Sequence, residues 1–356
     1  MKAAIVVGVR PEVIKIEPVV RALKKEGHTL FIITTDQHYS HNLFGSIYTQ
    51  LELPLPKYTL KNDATSPAHQ VAVVMTGVFN VLNSEFPDIL LSYGDSNSSL
   101  GGALGAVEAG IPVGHIEAGL RSYDRQMPEE INRVLIDHTS DLLFAPTKTS
   151  KENLKLEGIR ENVAITGNTV VDVLKRNLSR SERRVRAFGL EPNGYVLLTT
   201  HRQENVDNLT KLKGIITGVN QVAERLNKKI LFPVHPRTKK TLDLLRLALN
   251  KRWIVVEPID YLSFLSIERN AALVLTDSGG VQEEACILRV PCVTLRTNTE
   301  RPETLTVKAN ILAGTEPSVI SAAATTVLKV PRIWENPFGD GTAGKKITTI
   351  LVKKYG

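Results

Sequence analysis

Asp95 ends the run "LLSYGD", Glu117 lies in the run "PVGHIEA", and Glu129 opens the helical stretch "PEEINRVLIDHTS". Crowded carboxylates drive one another's pKa values apart, so a trio beside the loops of one half suits general acid/base chemistry. Each also has a plainer reading. Asp95 could simply cap the helix that follows. Glu129 could simply pair with Arg133, four residues on, at the surface. His115 and Glu117, two apart on a strand, share a face, and such an ionisable pair costs solvation energy unless it is used or partnered.

A second set of residues suits an anion. In "LTDSGGVQEEA" (275–285) Asp277 ends a strand, Ser278 takes an N-cap position, and Gly279 and Gly280 let the backbone come close. The free N–H groups of the new helix then form an anion site, with the serine hydroxyl as a further donor. An ordinary capped glycine turn is the plainer reading. Glu283 and Glu284 favour the anion site, since a carboxylate one turn into a phosphate-binding helix can grip a ribose diol. Other strand ends add Arg10 and Lys15 ("GVRPEVIK"), His201 ("LLTTHRQEN"), His235 and Arg237 ("FPVHPRT"), and Arg296 and Arg301 ("RTNTERPET"). His201 is suited to donate to a leaving phosphate. Glu204 lies three residues from it, but no third ligand follows, so no metal is expected. Cations and N–H donors on one side and carboxylates on the other want a nucleoside diphosphate carrying a small group.

The elements that must position these residues alternate. Apolar runs at 3–8, 29–35, 88–94, 112–118, 141–147 and 162–166 read as strands, with helical spacing at 12–27, 66–86, 99–110 and 128–140 between them. The pattern restarts with strands at 195–200, 229–235, 253–258, 272–277 and 292–296, and helices at 209–226, 238–249, 260–269 and 280–288. This predicts an α/β protein of two doubly wound, Rossmann-like parallel sheets facing across a cleft, with ligands at the carboxyl ends of the strands. Residues 1–170 form the carboxylate-bearing half and 171–340 the half with the anion turn. Residues 341–356 include an amphipathic helix expected to pack back on the first half.

Composition removes other function classes. The chain has 356 residues, enough for two domains, and a formal net charge of +7, which weakly favours anionic partners. The densest basic run, "RNLSRSERRVR" (176–186), has no aromatic residue and reads as a linker or exposed helix rather than a nucleic-acid surface. The apolar run after Met1 is too short for a signal peptide or a membrane span, which predicts a cytoplasmic protein. Cys286 and Cys292 read as buried thiols. There is no GxGxxG and no GxxxxGK[ST], which argues against a nicotinamide-binding fold and a P-loop ATPase.

The order of "GVRPEVIK", "YGD", "GHIEAGLRS", "MPEEINR", "FAPT", "TGNTVVD", "HRQEN", "PVHPRT", "LTDSGGVQEEA", "RTNTERPET" and "NPFGDG" along nearly the whole chain resembles the non-hydrolysing UDP-N-acetylglucosamine 2-epimerases. "RSYDRQMPEEINR" resembles their archaeal members. The resemblance implies a fold of the glycosyltransferase-B type, a homodimer, no cofactor, and interconversion of UDP-GlcNAc and UDP-ManNAc. The route it implies is anti-elimination of UDP to 2-acetamidoglucal, then re-addition. It implies acid/base roles for Asp95, Glu117 and Glu129, and assistance from Arg133 and His201. It also implies UDP contacts from Arg10, Lys15, His235, Ser278, Gly279, Gly280, Glu283 and Arg301, with Glu283 on the ribose.

The chain departs from the pattern in places. "GTRPE" is "GVRPE" here, and "GDTTT" is "GDSNS". Bacterial members are activated by a second UDP-GlcNAc held through "QHRQ", a following arginine and "HRREN". Here these stretches are "QHYS" (37–40), "KNDAT" (61–65) and "HRQEN". Gln37 and His235 remain, whereas Ser40 and Gln203 replace a glutamine and an arginine, which predicts weak or absent substrate activation. Two rival functions use the same parts: an epimerase for a more decorated sugar of the 2,3-diacetamido type, and a glycosyltransferase of the same fold.

Overall fold

The computed structural model describes residues 1–36, 41–61, 66–181, 188–245 and 249–356. The chain divides into two compact units, Met1–Lys175 with Phe338–Gly356, and Arg176–Pro337.

The first unit opens with β1 (Lys2–Val7), α1 (Arg10–Lys25), β2 (Thr29–Asp36), α2 (His41–Gln50), β3 (Tyr58–Lys61) and α3 (Pro67–Glu85). It continues through β4 (Ile89–Tyr93), α4 (Asn97–Glu108), β5 (Val113–Ile116), α5 (Pro128–Thr139), β6 (Leu142–Ala145), α6 (Lys148–Leu156) and β7 (Val163–Ile165). Helix α7 (Thr169–Ser181) crosses from the first unit into the second. Among the described residues these strands form a parallel sheet in the order β3-β2-β1-β4-β5-β6-β7.

The second unit contains β8 (Tyr195–Thr199), α8 (Gln203–Val206), α9 (Leu209–Leu226), β9 (Lys229–Pro233), α10 (Pro236–Leu245), β10 (Trp253–Val256), α11 (Tyr261–Arg269) and β11 (Leu273–Thr276). Then follow α12 (Gly279–Ile287), β12 (Cys292–Thr294), α13 (Pro302–Thr306), β13 (Asn310–Leu312) and α14 (Pro317–Val327), with α15 (Ala343–Tyr355) back in the first unit. Its parallel sheet runs β10-β9-β8-β11-β12-β13.

Strand order reverses beside β1 in the first sheet and beside β8 in the second. Loops leaving β1 and β4, and those leaving β8 and β11, therefore diverge to opposite faces and open a crevice at each switch point. The central strands are apolar on both faces, as helices on both sides require: Ala3–Val7 and Val196–Leu198 are fully buried. Apolar layers on the two sides of the second sheet include Leu212, Val219 and Ile320 on one and Ile267, Ala285 and Val290 on the other.

The helix starts are chemically specified. Ser66 accepts from His69 N at 3.2 Å and Pro67 takes the first helical position of α3. Ser96 accepts from Ser99 N at 3.1 Å at the start of α4. Ser96 thus performs the capping that Asp95 could have performed. Helix α15 packs on α1, where a side chain at Gly344 would meet Pro18.

Edge strand β3 and helix α14 have no counterpart in the sequence reading. Strand β3 is only "YTLK", with Tyr58 and Leu60 half-buried, too short a pattern to register. The sequence of α14, "PSVISAAATTV", mixes small and β-branched residues of modest helix propensity. It forms because it packs on α9, where Gly218 lets Ile320 and Pro317 come close. The basic run at 176–186 begins inside α7, and 182–187 lie outside the described residues. Both cysteines are buried. Among the described residues no helix is long and apolar enough to cross a membrane.

Candidate functional site

At the switch point of the first sheet the structure brings Lys15 onto Glu117 and Arg133 onto Asp95, with Arg10 opening α1 and Glu129 in the first turn of α5. Gly8 follows β1, and a Cβ there would fall 2.1 Å from Ser98 Oγ, so only glycine lets the β1 loop approach the start of α4 this closely. Arg10 is the first residue of α1 and half-buried. Lys15, one turn further, donates to Glu117 Oε1 at 2.6 Å, and Asn168 Nδ2 donates to the same oxygen at 3.0 Å. Glu117 is only 7% exposed. Its φ of 73° is left-handed, a strained conformation for a residue with a side chain. Such strain persists only where surroundings fix it, and here both the ion pair and the amide do so.

Asp95 lies on the β4 loop and receives Arg133 Nε at 3.1 Å and also Arg133 Nη2. Arg133 is 2% exposed and its other arm reaches Glu130, three residues back on α5. Glu130 also accepts from Ser122 N at 2.9 Å and Tyr123 N at 2.8 Å, pinning the loop before α5. Glu130 was missed by sequence reasoning, which looked four residues back to Glu129. Glu129 itself is half-buried in the first turn of α5. Asn132 Nδ2 adds a bond to Asp95 O at 3.0 Å.

Glu12 ties the two loops together. It accepts from Gly8 N at 2.6 Å, Val9 N at 3.1 Å and Ser99 Oγ at 3.0 Å. Burial pushes its carboxyl up to about 7, although Ser96, Gly8, Val9 and Ser99 all pull the other way.

At the switch point of the second sheet, Asp277 organises the ends of β8 and β11. It is fully buried and accepts from Thr200 Oγ1 at 2.7 Å, His201 N at 3.1 Å, Arg202 N at 3.1 Å and Asn205 Nδ2 at 3.2 Å. The His201 ring stands outward, 46% exposed, with Nδ1 3.4 Å from the same carboxylate. His235 faces it at 6.3 Å between ring centroids. Burial, with His201 and Arg237 nearby, lowers the His235 pKa. Ser278 takes the N-cap position of α12 and its side chain does not cap, while Gly279 and Gly280 open the helix.

Two residues expected at the nucleotide turn inward instead. Glu283 is fully buried and ion-paired with Arg301 Nε, and Arg301 is 4% exposed. This packs Glu283 against protein rather than a sugar diol. Glu284, one residue on, is half-buried and belongs to a different face of the helix. The sequence could not separate adjacent glutamates without the rotation of α12. Glu300 is a further residue missed. Its carboxylate lies where a side chain of Gly279 would be, and it pairs with Arg296 Nη1 at 3.0 Å and Arg202 Nη2 at 3.6 Å. Among the described residues no group of three or more His, Cys, Asp or Glu side chains could hold a metal. Residues 37–40 and 62–65, where the expectation of weak substrate activation partly rests, lie outside the described residues.

The family pattern described as UDP-N-acetylglucosamine 2-epimerase matches residues 21–352. The chain belongs to that family. A UDP-N-acetylglucosamine 2-epimerase of Methanocaldococcus jannaschii is 49% identical over 361 residues, covering 99% of each chain. The crystal structure of the M. jannaschii UDP-GlcNAc 2-epimerase in complex with UDP-GlcNAc and UDP superposes with a TM-score of 0.94 at 48% identity, covering 99% of this chain and 100% of the other. A UDP-2,3-diacetamido-2,3-dideoxy-D-glucuronate 2-epimerase of Pseudomonas aeruginosa is 36% identical, covering 99% of this chain and all of the other. The epimerase fold seen here is thus the glycosyltransferase-B type, with two parallel α/β sheets.

Proposed function

We propose that Asp95, Glu117 and Glu129 supply the acid/base groups that act at C2 of a UDP-2-acetamido sugar, and that the second switch point holds the nucleotide. The chain is an enzyme of the non-hydrolysing UDP-GlcNAc 2-epimerase class and interconverts UDP-GlcNAc and UDP-ManNAc. The observation that carries the residue assignment is the meeting, at one sheet switch point, of Glu117 on Lys15 and Asp95 on Arg133.

The C2 hydrogen is only weakly acidic. A carboxylate takes it as UDP departs with the electron pair of the C1–O bond, leaving 2-acetamidoglucal. Re-addition of UDP at C1 and delivery of a proton to the other face of C2 complete the inversion. Charge develops on the departing diphosphate, so preorganised donors there are worth most. The opening N–H groups of α12, His201 and His235 are suited to that, and Arg202 and Arg296 are held in place by Glu300. Glu284 replaces Glu283 as the carboxylate suited to the ribose. Glu283 and Arg301 act by fixing α12 from behind. No nicotinamide or metal enters this reaction. A homodimer and a cytoplasmic location accord with the reading.

Proton NMR of the protein with UDP-GlcNAc in D₂O tests the assignment. The expected result is UDP-ManNAc with deuterium at C2 and no free ManNAc. Asp95→Asn and Glu117→Gln should each lower kcat about 100-fold or more while UDP binding persists. Near-normal turnover in both variants would refute the assignment. A 2,3-diacetamido uronic sugar is the second reading, favoured by the P. aeruginosa relative. It would show as turnover of that sugar exceeding turnover of UDP-GlcNAc.

A further inference from the structure

His115 is wholly buried beneath the first switch point, and no step of the chemistry uses it. Its two ring nitrogens have different partners. Nδ1 lies 2.7 Å from Asp137 Oδ1, and Nε2 lies 2.8 Å from the carbonyl oxygen of Gly94. That carbonyl belongs to the peptide joining Gly94 to Asp95.

Gly94 is held from both ends by the strand that leads to Glu117. Its N–H donates to Ile116 O at 3.1 Å, and its carbonyl receives His115 Nε2. Its φ of 70° is left-handed, and a side chain there would sit 3.8 Å from Glu117 Oε2. The two bonds therefore fix the position of the Asp95 loop relative to Glu117. A carbonyl can only accept, so Nε2 must carry a hydrogen.

Asp137 is committed as well. It accepts from Gly119 N at 3.1 Å and pairs with Arg121 at 2.7 Å, and Arg121 in turn bonds Glu157 through Nε at 2.7 Å. Burial alone would raise the Asp137 carboxyl, but His115 and Arg121 outweigh it and hold it below its usual value. An ionised carboxylate also only accepts, so Nδ1 carries a hydrogen too. His115⁺, Asp137⁻, Arg121⁺ and Glu157⁻ form a chain of alternating charge.

Helix α5 joins this chain to the chemistry. Glu129, Arg133 and Asp137 are spaced by four, so they share one helix face. Arg133 reaches Asp95 from that face, and Asp137 reaches His115. One helix thus clamps both the Asp95 side chain and the peptide before it.

We propose that His115, doubly protonated on Asp137, is a positioning residue that sets the Asp95 loop against Glu117 through the Gly94 carbonyl. This rests on the acid/base reading of Asp95 and Glu117 given above.

Two isosteres separate the bonds. A glutamine amide can reach where Nε2 stands, and an asparagine amide where Nδ1 stands. His115→Gln keeps the Gly94 bond and loses that to Asp137, and His115→Asn does the reverse. Both lose the same charge. Misplacement of a reacting group by about 1 Å costs on the order of 100-fold, so H115N should lose about 100-fold in kcat and H115Q less than about tenfold. KM and UDP affinity should stay within about threefold in both, because the nucleotide contacts lie elsewhere. Nitrogen-15 NMR of the ring-labelled, full-length enzyme should show two protonated ring nitrogens on His115.

A normal kcat in H115N overturns the proposal, as does an equal loss of kcat in both variants, or a His115 ring with only one N–H. Asp95→Asn and Glu117→Gln are measured beside them. If these lose turnover and H115N does not, the positioning role fails alone. If these keep turnover, the acid/base reading fails and takes the positioning role with it.

Discussion

Replacing Asp277 by asparagine tests whether one buried carboxylate holds the second half of the site together. Asp277 receives Thr200 Oγ1, His201 N, Arg202 N and Asn205 Nδ2 at 2.7–3.2 Å, from the loop after β8 and the short helix α8. Asparagine has one acceptor oxygen. Its best fit puts that oxygen at the Oδ2 position, where Thr200, Arg202 and Asn205 converge, and turns its NH₂ group toward His201. Hydrogen bonds to a charged group contribute about 1.5–3 kcal/mol and neutral ones about 0.5–1.5, so each donor loses about 1 kcal/mol. Four donors, less the relief of no longer burying a charge, give a loss of about 2–4 kcal/mol. The loss falls on the loop, because β11 keeps its pairing with β8 and β12. Hydrogen exchange over Thr200–Val206 should therefore accelerate about 30- to 1,000-fold, at tenfold per 1.4 kcal/mol, while β11 amides change little. Turnover should fall with it, since His201 stands on that loop. Exchange within about threefold of the parent over these amides, with turnover intact, would refute the organising role.

Three further tests follow from buried charge and strain. Glu12→Gln tests a carboxyl raised from 4.5 to about 7. A raised folded pKa makes the folded state bind the extra proton, so this contribution is full below about pH 4.5 and lost as pH rises through 7, about 3 kcal/mol in all. The thermal midpoint of E12Q minus that of the parent should thus climb between pH 4.5 and 7.5, and a flat difference would show that the N–H donors keep Glu12 ionised throughout. Glu117→Gly should be more stable than Glu117→Ala by about 1 kcal/mol in urea titrations, because only glycine relieves the left-handed backbone; equal stability would mean the strain is absent. Arg301→Met should cost about 3–5 kcal/mol by removing the cation paired with the buried Glu283, and adding Glu283→Leu should recover most of that; independent, additive losses would exclude the buried pair.

What could be read from the sequence divides along a physical line. Strand ends were legible because an apolar run buried on both faces stops abruptly, and the residue that stops it must face the crevice. Asp95, Glu117, His201 and Ser278 were found this way. Rotation about a helix axis was not legible to one residue. Glu283 and Glu284 differ by one position, as do Glu129 and Glu130, and one residue turns a side chain by about 100°. The sequence reading placed both Glu283 and Glu284 at the anion turn and gave the ribose to Glu283, and it gave the chemistry to Glu129 rather than Glu130, whereas packing decides which carboxylate turns inward to an arginine. Function at second hand was the least legible. The sequence marked His115 and Asp277 by their places at strand ends but not their partners, which are Asp137 and the Gly94 carbonyl for one and Thr200, His201, Arg202 and Asn205 for the other, and it did not mark Glu300. The site is therefore specified at two depths. The groups proposed to meet substrate lie where strand topology puts them, at the strand ends legible in the sequence. Those that aim them follow from a closed account of buried donors and acceptors, which exists only once the chain is folded.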